Sequence, residues 1–297
     1  MEYLFLIIAA SLYSLMFLTN RGYQRSNGTG ISVALSFAMY TSMIGLPIFL
    51  VISAIGMISG WGPLADLRLE FSWFSLLMAL MNSGVLIGYS IFSIKALSVA
   101  NLSLYSIFAM LGGMLLPSLY GLIFSGEPLT VGKVCCYVLI GAALFLTFEK
   151  GGKNSKKSML YCFGVFVLNG LSGVVTSIHS EEIFADIAVS SGSYMIMNRA
   201  GNIVVCLILL FAICKKIPEL KVSDFGYVAG NGACAGIGNL LQLMALASLE
   251  SSVLFPIVTG GTMLFSMMVS IIIKEKPSVK TIVASVIAAA STVLMMF

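Results

Sequence analysis

The chain has 297 residues, of which 59% are hydrophobic and only 9% charged, with a mean hydropathy of +1.04 and a formal net charge of +4. That composition does not fit around a single soluble core, so the bilayer becomes the expected solvent. The basic residues sit in short loops and read as a topology signal, not as a basic patch for nucleic acid.

In hydrocarbon each backbone group must be satisfied within its own segment, so long apolar runs become helices of about 20 residues. Ten runs qualify, near residues 3–19, 33–56, 72–94, 102–124, 129–148, 159–178, 191–214, 225–247, 252–273 and 279–296. The first follows Met1-Glu2 without a basic leader and matches the sixth run, so it is read as a span and not a signal peptide. Between the fifth and sixth runs lies Glu149-Lys150-Gly151-Gly152-Lys153-Asn154-Ser155-Lys156-Lys157-Ser158, polar and rich in Gly, Ser and Lys. It divides a first half, 1–148, from a second half, 159–297, with 149–158 as a basic linker.

The two halves repeat one another. Gly112-Gly113, Glu127 and Val138 recur 148 residues later at Gly260-Gly261, Glu275 and Val286. Asn82 and Ala96-Leu97 recur 149 residues later at Asn231 and Ala245-Leu246, and Ser14 and Thr19 recur 158 later at Ser172 and Ser177. Because each half holds five spans, an odd number, the second enters the bilayer from the opposite face and the repeats are inverted. The predicted fold class is therefore an all-α polytopic membrane protein of ten transmembrane helices in two inverted five-helix repeats.

Charge sets the orientation. Arg21, Arg25, Lys95, Lys150, Lys153, Lys156, Lys157, Lys215, Lys216, Lys221, Lys274, Lys276 and Lys280 lie on one predicted face, against Arg68 and Lys133 on the other. The positive-inside rule then places the linker in the cytoplasm and both termini outside, in the plasma membrane of a prokaryote. The six cysteines fall in apolar runs without C-x-x-C spacing and read as small hydrophobes. His179, the sole histidine, reads as an interfacial residue at a helix end rather than a metal ligand. No metal and no cofactor is expected.

Each half closes with one pattern: Ala96-Leu97, Gly112-Gly113, Glu127, Thr130 in the first and Ala245-Leu246, Gly260-Gly261, Glu275, Ser278 in the second. With Pro256 early in the ninth helix and Arg199 near the outer end of the seventh, the chain resembles the drug/metabolite transporter superfamily of the EamA-like, ten-helix type. That resemblance implies a secondary transporter. Many members keep their termini in the cytoplasm, whereas the charge count here argues the reverse. The superfamily's four-helix relatives use a glutamate inside their first helix for proton-coupled export of cations, and neither 3–19 nor 159–178 holds an acid.

A cavity would instead be lined by uncharged polar groups shared between halves, which are costly in hydrocarbon unless partnered. Ser14, Asn82, Tyr89, Ser172, Arg199, Asn231, Asn239 and Gln242 are the candidate substrate-binding residues. For Asn82 and Asn231, replacement by Ala is expected to impair transport more than stability. The competing reading of each amide and hydroxyl is helix-to-helix adhesion. For Arg199 the choice lies between a counter-ion for a substrate anion and a structural arginine reaching the interface. Gly112, Gly113, Pro256, Gly260 and Gly261 are the candidate hinge. Glu250, at the start of the ninth run, is the fallback coupling site if a proton gradient drives transport.

The expected function is alternating-access transport of a small polar metabolite, amino-acid-like or otherwise neutral or zwitterionic, as an exporter or exchanger and without an intramembrane carboxylate that titrates. The alternatives are a proton-coupled drug/cation or organic-anion exporter and, further off, a polytopic enzyme, for which the spans offer no catalytic constellation. Partners are the lipid bilayer and a small-molecule substrate, with the chain a monomer or a homodimer.

Overall fold

The computed structural model describes residues 2–59, 69–147, 155–215, 218–246 and 251–294. Among these residues there are ten α-helices and no strand. In chain order they are α1 (Glu2–Asn27), α2 (Ile31–Ser59), α3 (Trp73–Val99), α4 (Leu102–Phe124), α5 (Val131–Leu146), α6 (Ser155–His179), α7 (Ser191–Leu209), α8 (Val222–Leu246), α9 (Ser251–Ile272) and α10 (Val279–Leu294). A π turn, Leu210–Cys214, prolongs α7.

Length and composition fit a helical membrane protein. Seven helices (α1, α2, α3, α4, α6, α7 with its π turn, and α9) are long and apolar enough to cross a bilayer, while α5 and α10 are shorter apolar helices of 16 residues each. The exception is α8, which has 25 residues but carries Asn231, Asn239 and Gln242 along its length. A helix that polar is costly against lipid and is accommodated against other helices. Accordingly α8 packs on α1 and α2.

The sequence places the helix ends well. Asn101 caps α4 by accepting from the Leu104 N–H at 2.7 Å, and Thr130 caps α5 through the Lys133 N–H at 3.2 Å. Ser278 caps α10 by accepting the Thr281 N–H at 3.2 Å. The Thr130 and Ser278 that recur three residues after Glu127 and Glu275 are thus helix caps, which satisfy first-turn donors. Gly28, at φ 88°, ends α1 with its N–H bonded to the Gln24 carbonyl at 2.8 Å. That conformation suits glycine.

Two ends differ from expectation. α1 runs about two turns past residue 19, because its polar tail is held by the first turn of α8: Ser26 Oγ and Asn27 Nδ2 donate to the buried Asp224 carboxylate at 2.7 and 3.0 Å. At the second boundary, α6 already begins at Ser155, so the last four residues of the 149–158 stretch are helical and 149–154 lie outside the described residues.

The main helix pairs are α1 with α8 and α9, α6 with α3 and α4, α2 with α7 and α8, α3 with α7, α4 with α9, α5 with α10, and α9 with α10. The largest buried cluster lies where α4 meets α1, α6, α9 and α10, around Phe17, Tyr105, Leu111, Phe166 and Met263. Tyr105 is fully buried and meets Phe17 edge to face at 5.0 Å.

Candidate functional site

The polar residues of α8 that made it unlike the other helices converge on α1. Tyr13 Oη lies 2.5 Å from Asn239 Oδ1 and 2.8 Å from Gln242 Oε1. One hydroxyl has one proton, so it donates to one of these amides and accepts from the other, whose NH2 is turned toward it. Residues 239 and 242 are three apart and share a helix face, which is why one phenol reaches both. Tyr13 is the residue that the sequence reading missed: within an apolar run it has no signal beyond its neighbour Ser14.

Arg199 on α7 belongs to the same region. Its guanidinium lies over the Phe49 ring at 5.8 Å and within electrostatic range of the Tyr13 phenol. Gly45 of α2 faces the same guanidinium: a Cβ added there would sit 3.6 Å from both Cζ and Nε of Arg199, in ordinary van der Waals contact. Among the described residues Arg199 forms no ion pair and no hydrogen bond, and its side chain is only partly buried. It begins eight residues into α7, about 12 Å along the axis. Its neighbours face other helices. Asn198 Oδ1 accepts from Ser83 of α3 at 3.3 Å, and Asn202 Nδ2 donates to Ser42 of α2 at 2.7 Å.

The remaining candidates are placed elsewhere. Ser14 is buried against α9, where Ser266 Oγ donates to it at 3.2 Å. Asn231 Nδ2 donates to the Met16 carbonyl at 2.9 Å and to Thr19 Oγ1 at 3.2 Å, tying α8 to α1. Tyr89 Oη meets Tyr105 Oη at 2.7 Å, and Ser93 Oγ meets the same hydroxyl at 2.9 Å, forming a chain between α3 and α4. Ser172 contributes its carbonyl to Thr176 Oγ1 within α6. Asn82 is 2% exposed with its Oδ1 unpartnered, and the equally unpartnered Tyr194 hydroxyl lies near it without hydrogen-bonding geometry. The structure therefore brings Arg199, Asn239 and Gln242 into one region and sets Ser14, Asn82, Tyr89, Ser172 and Asn231 in other helix contacts.

The glycines mark close approaches. A Cβ at Gly112 would lie 2.1 Å from the Phe166 carbonyl oxygen of α6, and one at Gly113 would lie 2.5 Å from Asn169 Nδ2. At Gly260 it would meet Thr292 Oγ1 of α10 at 2.6 Å, and at Gly261 the Ala10 Cβ of α1 at 3.0 Å. Pro256 is buried in α9, and its carbonyl accepts from Thr292 Oγ1 at 3.0 Å. Glu250 lies outside the described residues.

At the basic end of the bundle, Glu275 gathers several segments. Its Oε1 lies 2.7 Å from Arg21 Nε and 3.4 Å from Arg25 Nη2, and its Oε2 accepts from the Leu102 N–H at 2.7 Å and Ser270 Oγ at 3.0 Å. The Arg21 Nε approach is off-axis for an N–H donor, so it is an ion pair rather than a hydrogen bond; Nη1 of the same guanidinium donates to the Ala100 carbonyl at 2.9 Å. Glu275 has a 5% exposed side chain, whereas Glu127, its counterpart in the first half, is 50% exposed and pairs with Lys133 at 2.8 Å.

His179, the last residue of α6, is buried among side chains. It stacks on Tyr194 at 4.0 Å and Phe74 at 6.0 Å between ring centroids, and Nε2 bonds Ser75 Oγ at 2.9 Å. Two aromatic rings at the end of α6 shield from water a group that the sequence placed only by its position at a helix end.

No protein-family model and no curated protein matches the chain. Solved structures do match. One of them, described only as a crystal structure of a protein, superposes with a TM-score of 0.59 at 15% identity, over 99% of this chain and 94% of that one. At that identity the likeness is one of fold.

Proposed function

We propose that this chain is a secondary transporter of the drug/metabolite type, moving a small polar metabolite by alternating access between two inverted five-helix repeats. The observation that carries this reading is the composition of the Tyr13–Arg199 region. Tyr13, Gly45 and Phe49 come from α1 and α2 of the first half, and Arg199, Asn239 and Gln242 from α7 and α8 of the second. A site between two repeats is where rocking of one against the other changes access.

The helix pairing supports the repeat. When each helix number is exchanged for the one five away, α1 with α8 becomes α6 with α3, α1 with α9 becomes α6 with α4, and α2 with α8 becomes α7 with α3. The pairs α2 with α7, α4 with α9 and α5 with α10 map onto themselves. A two-fold relation between halves has this consequence. In this reading all ten helices cross the membrane, the basic end faces the cytoplasm of a prokaryote, and the Glu275 cluster closes that end. Breaking it opens the site inward.

The test is counterflow with the purified chain in liposomes against a panel of amino acids, organic acids, neutral solutes and lipophilic cations. Saturable exchange that depends on the protein supports a carrier. Non-saturating flux would indicate a pore, and no flux of any solute would overturn transport.

A further inference from the structure

We infer that the transported solute carries a single carboxylate, which Arg199 binds through its guanidinium while the Tyr13–Asn239–Gln242 group holds an adjacent amino or hydroxyl substituent. The inference rests on the transporter reading above and deepens it by naming the substrate class.

It starts from an unpaired charge. A guanidinium stays protonated at any working pH and carries five N–H donors in a planar fork. Even partly shielded from water, such a group is stabilised by a compensating partner, and a lone ion within a span marks function by default. Arg199 has no such partner among the described residues: Phe49 covers one face, Tyr13 supplies a phenol, and Gly45 supplies no side chain at all. Its neighbours on α7 differ: Asn202 donates to Ser42 and Asn198 accepts from Ser83, whereas the uncharged Tyr194 hydroxyl has no partner. Among these groups of α7, only Arg199 carries a full charge that lacks a partner.

The chemistry selects the ligand. A carboxylate matches the fork with two parallel hydrogen bonds. One uncompensated cation accommodates one negative charge, so a phosphate monoester or a dicarboxylate would leave a second charge unpaired in low dielectric. Around Tyr13 the two amides cannot both receive the single phenol proton, so together they offer both a carbonyl acceptor and an NH2 donor beyond the phenol. That pairing serves an ammonium or hydroxyl beside the carboxylate. A bare fatty acid gains nothing from it.

The experiment uses the full chain in proteoliposomes, with counterflow of small amino and hydroxy acids, each beside its primary amide and methyl ester, and with inorganic phosphate and dicarboxylates as further arms. The acid should exchange at least about tenfold faster than its amide, since a charge-assisted hydrogen-bond pair is lost. Arg199→Gln should abolish exchange and Arg199→Lys should reduce it strongly, because an ammonium cannot reproduce the fork. In detergent, the acid should raise the melting temperature of the wild-type chain and not that of Arg199→Gln. If that variant fails to fold, the acid-against-amide comparison on the wild-type chain decides by itself. Equal exchange of acid and amide, preference for phosphate or dicarboxylate, or undiminished exchange in Arg199→Gln would overturn the inference while leaving transport intact. Absence of all flux together with an acid-specific thermal shift would overturn transport and leave the anion site standing.

Discussion

Glu275 and Asn231 show how much a single polar residue carries in this bundle. The Glu275 carboxylate holds Arg21, Arg25, the Leu102 N–H and Ser270 while nearly sealed from solvent. Removing one partner of a buried pair leaves the other uncompensated, at a cost of about 3–5 kcal/mol. Glu275→Ala should therefore lower stability by that order, measured by thermal unfolding in detergent, and Glu127→Ala, at an exposed pair, should change it by less than about 1 kcal/mol. Among the amides, Asn231 bridges α8 to α1, whereas Asn82 Oδ1 has no partner. Asn231→Ala should cost about 1 kcal/mol, the scale of an interhelical hydrogen bond in a membrane bundle. Equal losses at positions 82 and 231 would contradict this difference. Arg199, Asn239 and Gln242 were legible in the sequence because amides and a charge stand out in apolar runs. Tyr13 and the role of Glu275 were not, since their meaning comes from distant partners: Asn239 and Gln242, 226 and 229 positions from Tyr13, and Leu102 and Arg25, 173 and 250 positions from Glu275.

At the scale of the helices, backbone proximity decides the behaviour of the glycine pairs. α4 approaches α6 so closely at Gly112 that any Cβ would meet the Phe166 carbonyl, an immovable backbone atom. Gly112→Ala should destabilise by about 1–3 kcal/mol through overpacking. Gly141→Ala, where a Cβ would meet nothing within 4 Å, serves as the comparison and should be neutral or slightly stabilising. Comparable melting temperatures for the two variants would show that α4 and α6 can separate without cost. The ten apolar runs of the sequence coincide with the ten helices, because hydrocarbon leaves long apolar segments little other choice. Their ends were less legible. α1 gains about two turns from a polar tail whose stability depends on Asp224 of α8, a tertiary contact that local hydropathy does not encode.

Across the whole molecule, the sequence repeat and the exchange of helix pairs point the same way, and the site residues divide between the halves. The basic end collects Arg21, Arg25 and the Glu275 cluster, so the positive-inside rule predicts that residues 150–157 react with an impermeant thiol probe, after single cysteine replacements, only from the cytoplasm. Labelling from outside would reverse the orientation without altering the repeat. Substrate identity was the least legible property, because it depends on how single polar side chains from different helices come together rather than on any run of sequence.

The central claim is that one site between the halves faces each side of the membrane in turn. Asn239→Cys, in a chain whose six native cysteines are replaced by Ala or Ser, tests it most directly when probed from each side of oriented vesicles with an impermeant thiol reagent. The account predicts labelling from both faces, protection by a counterflow-competent solute on either face, and no ion leak through the labelled population. Labelling confined to one face with and without solute, while exchange continues, would contradict it.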